Sequence, residues 1–126
     1  MRILYFWPSA LVVAFILYAT LSSAPTADIS LMLFPYADKL IHAIMFGGLT
    51  GAVAFDCRRS GMSLTRPLML AIAACVAVFG ALDEFAQALL TEVRSGDGFD
   101  WLADVAGILV AYFSAPVVIN RIIRKK

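Results

Sequence analysis

Charge is scarce in this chain: 15% of its 126 residues are Asp, Glu, Lys or Arg, where a soluble domain has about a quarter. With 62% hydrophobic residues and a mean hydropathy of +0.88, an ordinary water-facing surface is excluded. The composition predicts an integral membrane protein, one bundle without a separate soluble domain. Cysteine is nearly absent too. Cys57 falls in a basic loop and Cys75 in the middle of an apolar segment, placements that suit neither a disulfide, a metal site nor a redox pair. There is no basic stripe, so no nucleic-acid partner is expected. No Ser or Cys nucleophile motif, internal repeat or low-complexity tract stands out. Histidine occurs once, at His42.

What is present is a set of long apolar runs. Four spans are expected, at 3–21, 38–55, 67–90 and 100–119. Each approaches or exceeds the ~20 residues that cross a ~30 Å hydrocarbon core. Pro8 is tolerable in a first turn or as a kink, and Pro67 suits a helix N-terminus. The first run, followed by Ser22-Ser23-Ala24, resembles a secretory signal. Its apolar stretch exceeds the usual 7–15-residue signal core, so an uncleaved helix is expected.

The few charges are segregated. Of nine acidic residues only Asp56 falls on the side of Arg2, Arg58, Arg59, Arg66 and the tail Arg121, Arg124, Lys125 and Lys126; of ten basic residues only Lys39 and Arg94 fall on the other. The positive-inside rule places the basic side in the cytoplasm. The expected fold is therefore an all-α integral membrane four-helix bundle, a single domain over 1–126, with both termini cytoplasmic. The implied localisation is a membrane, crossed by several spans.

On the acidic side three spans bring polar groups to one depth. Asp38, Lys39 and His42 open the second span. Asp83, Glu84 and Gln87 lie near the outward end of the third, and Asp100 and Asp104 open the fourth just after Arg94. Asp38 and His42, Asp83 and Gln87, and Asp100 and Asp104 are i,i+4 pairs that share a helix face. His42 and Asp104 sit about 6 Å inward of Asp38 and Asp100 at 1.5 Å rise per residue. Gly107 and Ala111 continue the Asp100–Asp104 face; Gly47 and Gly51 have the small-xxx-small spacing, and Gly80 lies one turn before Glu84. These small residues suit close helix packing, so the polar groups are expected to point into the bundle.

Taken singly, each residue has a structural explanation. Asp38 and Asp100 suit helix N-caps, Lys39 can snorkel to the headgroups, Arg94 can balance its acidic neighbours, and His42 can be a satisfied bundle histidine. Taken together, ionisable side chains from three helices at one membrane depth point to a functional site. Five carboxylates facing Lys39, Arg94 and His42 cannot all stay ionised without compensation. Protonation, ion pairing or a divalent cation would supply it. The donor types suit Mg²⁺, Mn²⁺ or Zn²⁺, although no ligand spacing is diagnostic, and no cofactor is predicted. The positive dipole ends of the second and fourth spans, with Lys39 and Arg94 beside them, also suit a lipid phosphate, with His42 or Glu84 as proton acceptor.

The ordered stretches Asp38-Lys39-Leu40-Ile41-His42 with Phe46 and Leu49, Asp83-Glu84-Phe85-Ala86-Gln87, Arg94-Ser95, and Asp100-Trp101-Leu102-Ala103-Asp104-Val105-Ala106-Gly107 resemble the VanZ-like family of small bacterial membrane proteins. The resemblance spans Asp38 to Gly107. Asp104 departs from it, since many members have Asn there. The family is named for a protein that raises teicoplanin resistance, so the resemblance implies a bacterial cell-envelope protein without supplying a mechanism.

Three functional readings follow. In the first, Asp38, Lys39, Asp83, Gln87, Arg94, Asp100 and Asp104 bind an envelope lipid, a lipid-linked envelope precursor or a glycopeptide, and antibiotic susceptibility changes. In the second, the chain is an enzyme on a lipid-linked phosphate or sugar, with His42 and Glu84 catalytic. In the third, the charged set is interhelical glue in a structural or assembly helper.

Overall fold

The computed structural model describes residues 3–21, 37–90 and 98–124. A 3-10 turn, Ile3–Phe6, leads into α1 (Trp7–Leu21); α2 is Ala37–Arg59, α3 Arg66–Leu90 and α4 Gly98–Arg124. Four stretches are long and apolar enough to cross a membrane: Ile3–Leu21, Lys39–Arg59, Arg66–Leu90 and Phe99–Arg124. The expected all-α four-helix architecture is the one observed, and no strand occurs among the described residues.

Two boundaries differ from expectation. The helix α2 continues past Phe55 to Arg59, so Asp56 and Cys57 are helical and buried and do not belong to a loop. Its end is written at Gly61, whose φ of +100° provides the left-handed residue that closes a helix. Met62 N–H reaches Cys57 O at 3.0 Å and Gly61 N–H reaches Arg58 O at 3.2 Å, the bond pair of a Schellman motif. Thr65 then opens α3 by accepting the Leu68 N–H at 3.3 Å, as an N-cap does. At the other end, α4 starts at Gly98 and runs to Arg124, beyond the expected 100–119, and carries Pro116 within it. Asp100 is therefore the third residue of α4 and not its cap.

The bundle is inverted relative to a soluble one. Leu11, Phe15, Leu70, Val78, Leu82, Phe85, Val110 and Phe113 are exposed, whereas His42, Thr50, Asp56, Asp83, Gln87 and Asp104 are buried. An apolar exterior over polar interior groups is what a hydrocarbon solvent selects. Phe46, Leu49, Met69, Ile72, Val76, Ile108 and Ile119 fill the core between them.

The closest helix pair is α2 and α4, and glycine makes it so. A Cβ on Gly107 would overlap the carbonyl of Ala43, and one on Gly47 would lie 2.9 Å from Gly107 O. These helices touch backbone to backbone. Gly51 has open space around its Cβ position, so the expected Gly47/Gly51 pair serves this crossing through Gly47 alone.

Candidate functional site: a buried polar cluster at one end of the bundle

The crossing at Gly107 sets the register of the polar residues one turn away. Asp104 precedes Gly107 on α4, and His42 precedes Ala43 on α2, so their side chains meet at the helix interface. His42 Nδ1 lies 2.9 Å from Asp104 Oδ1. The ring stacks on Phe46, one turn along α2, at 6.3 Å between centroids and 7° between planes. On α3, Gly80 makes room: a Cβ there would stand 3.1 Å from Asp104 Oδ2 and 3.3 Å from Phe46.

One to two turns beyond Gly80, α3 delivers Asp83, Glu84 and Gln87. Glu84 Oε1 is 3.7 Å from His42 Nδ1. Gln87 Nε2 is 3.2 Å from Asp83 Oδ2 and 3.3 Å from Glu84 Oε1, so one amide spans both carboxylates. Asp100 Oδ2 is 3.8 Å from His42 Nε2, while its Oδ1 accepts from Lys39 Nζ at 3.0 Å. The cluster is almost wholly enclosed. His42 is 1% exposed, Asp104 0% and Gln87 1%; Lys39, with 28% of its side chain exposed, is the rim.

Of the nine residues expected to form a site, His42, Glu84, Lys39, Asp83, Gln87, Asp100 and Asp104 are thus brought together by three helices. Arg94 and the side chain of Asp38 lie outside the described residues. Two further contributors were not expected from sequence. Thr20, near the end of α1, places its hydroxyl 2.8 Å from both Asp83 Oδ1 and its own Ile16 carbonyl, so its single O–H proton is shared between the two acceptors. A threonine ending an apolar run carries no signal beyond being polar and near the right depth. Trp101 Nε1 donates to Ala77 O at 3.0 Å, tying α4 to α3 beside the cluster.

A second buried acid lies at the opposite, basic end. Asp56 accepts from both the backbone N–H and the hydroxyl of Ser9 through Oδ2, at 3.0 and 2.5 Å. Ser9 is in the first turn of α1, where backbone N–H groups have no partner within the helix. Asp56 of α2 therefore caps α1 from outside, at its positive dipole end. Arg59 Nη1 stands 4.0 Å from the other oxygen. The signal for this was present: Asp56 is the lone acid among the basic residues, and a capping role explains why it is there.

Chemically, the main cluster offers one imidazole and two carboxylates whose ligand atoms all lie within 4.8 Å of one another. Beside it, on the same α2–α4 pair, an open groove of about 360 Å³ is lined by Ala43, Ile44, Gly47, Gly48, Gly107 and Val110, among others. No family model, no curated protein and no solved structure matches this chain, so fold and site are argued from its own geometry.

Proposed function

We propose that this chain is a VanZ-like cell-envelope protein that binds an envelope lipid at the polar cluster and thereby affects antibiotic susceptibility. The basic end, with Arg58, Arg59, Arg66, Arg121 and Arg124, belongs in the cytoplasm by the positive-inside rule, which turns the polar cluster outward. One observation carries the reading: the polar rim at Lys39 and the glycine-floored apolar groove lie on the same two helices, α2 and α4. A phosphate head at the rim with a hydrocarbon chain in the groove matches that sequence of environments. The groove opens sideways among exposed Ile44, Gly48 and Val110, which favours a lipid over a soluble glycopeptide. An ammonium has three donors, so Lys39 can serve Asp100 and a phosphate together.

The test uses lipid mass spectrometry on the purified protein. Gly48 has open space around its Cβ position, so Gly48→Leu fills the groove without a backbone clash. Lys39→Ala removes the rim cation. Both variants should carry at least severalfold less of one co-purifying phosphate-bearing lipid than wild type, and should lose any teicoplanin protection conferred by expression. Undiminished lipid in both folded variants would refute the reading.

A further inference from the structure

The polar cluster contains an oxygen that its hydrogen bonds do not satisfy. Asp104 Oδ2 is buried without a hydrogen-bond partner among the described residues, on a side chain 0% exposed. Leaving a polar atom unmatched in a bundle interior is costly, and native interiors seldom do so without a reason. We propose that His42, Glu84 and Asp104 hold a divalent cation of the Mn²⁺ or Zn²⁺ class inside the bundle, beneath the lipid rim.

Four observations converge. The first is spacing. Metal–ligand bonds of about 2.0–2.2 Å place adjacent ligand atoms about 3 Å apart and opposite ones about 4 Å apart. The observed separations are 2.9 Å from His42 Nδ1 to Asp104 Oδ1 and 3.7 Å from His42 Nδ1 to Glu84 Oε1. Both fit one ion, and the ligand atoms of all three side chains lie within 4.8 Å of one another.

The second is the outer partner of the histidine. Metal-bound histidines hand their other ring N–H to a carboxylate or carbonyl. With Nδ1 on the cation, Nε2–H faces Asp100 Oδ2 at 3.8 Å, and Asp100 is itself held by Lys39 at 3.0 Å. Gln87 does the same service for Glu84, donating to Oε1 at 3.3 Å.

The third is charge. A dication between two carboxylates and a neutral imidazole gives a neutral set, the cheapest state for a buried polar group. The fourth is room. Asp104 Oδ2 points at Gly80 on the helix that carries Glu84, and a side chain at Gly80 would occupy the space beside that free oxygen. Imidazole suits Zn²⁺ and carboxylates suit Mn²⁺, so both ions serve as probes.

This inference rests on reading the cluster as a ligand site, and it is separable from lipid binding by experiment. Full-length protein carrying no histidine tag is stripped with EDTA in detergent and titrated with MnCl₂ under electron paramagnetic resonance, then with ZnCl₂ followed by elemental analysis. One ion per chain is expected. Because His42 is the sole histidine, imidazole nitrogen modulation in the bound Mn²⁺ spectrum identifies it directly. Glu84→Gln should weaken binding at least tenfold, and Asp100→Asn, which changes the outer partner of His42 and no ligand atom, should weaken it about 10–100-fold. Circular dichroism and gel filtration report the fold. No stoichiometric ion on folded wild type, or bound Mn²⁺ without nitrogen modulation, overturns the proposal. Lipid content of the stripped protein is measured in parallel: lipid retained without metal binding sinks the cation alone, and metal bound without a specific lipid sinks the lipid reading alone.

Discussion

At the scale of single residues, the two ends of the bundle use carboxylates differently. Asp56 caps α1 through its Oδ2, which takes the orphan Ser9 N–H and the Ser9 hydroxyl. Asp56→Ala leaves both donors buried and unmatched, at about 1–3 kcal/mol. Ser9→Ala removes the hydroxyl but keeps the backbone bond, and should cost about 1 kcal/mol, the scale of a polar contact inside a membrane bundle. Thermal unfolding in detergent should therefore rank wild type above Ser9→Ala above Asp56→Ala; a Ser9→Ala loss equal to that of Asp56→Ala would rule out backbone capping. At the other end, Asp83 receives Thr20 and Gln87. Thr20→Val removes the donor while preserving shape and should lower stability by about 0.6–2 kcal/mol by the same scale. An unchanged midpoint would show that the α1 contact contributes nothing.

At the scale of helices, what holds the site in register is the α2–α4 crossing. Gly107→Ala drives a methyl group into the Ala43 carbonyl. A clash with backbone cannot be relieved by a rotamer, so the helices must separate and the cost should exceed the usual 1–3 kcal/mol or so of overpacking, by roughly as much again. Gly51→Ala meets open space and should be neutral or slightly stabilising, since Ala is the better helix former by up to about 1 kcal/mol. Circular dichroism melts of the two variants side by side decide it, and equal melting points would mean the crossing is looser than its geometry. The helices themselves were legible from apolar run length, and the grouping of polar side chains on shared helix faces from i,i+4 spacing, because both are local properties of sequence. Asp100 as a cap and Asp56 as a loop residue were misread, since in each the helix runs past the first charge. The partners of Asp56 and Asp83 were not legible. Ser9 and Thr20 lie 47 and 63 positions away, and no local pattern announces a contact at that separation.

At the scale of the whole molecule, the long axis is polarised. One end gathers Arg58, Arg59, Arg66, Arg121 and Arg124, and the other gathers Asp83, Glu84, Asp100 and Asp104. Basic loops are retained in the cytoplasm during insertion, whereas acidic residues contribute little to orientation. The proposed orientation, with the polar cluster outward, follows from that asymmetry. Replacing Cys57 and Cys75, then placing single cysteines at position 62, exposed in the α2–α3 turn, and at position 94, tests this in intact cells. A membrane-impermeant maleimide should label position 94 directly and position 62 only after permeabilisation. The reverse pattern would turn the cluster toward the cytoplasm and remove its access to outer-leaflet lipids. Adding the loop variant Arg58→Glu/Arg59→Glu/Arg66→Glu sharpens the test: if these arginines set the orientation, their loss should yield a mixed labelling pattern at both positions, while unchanged labelling would assign control of orientation to the arginines and lysines at the chain termini.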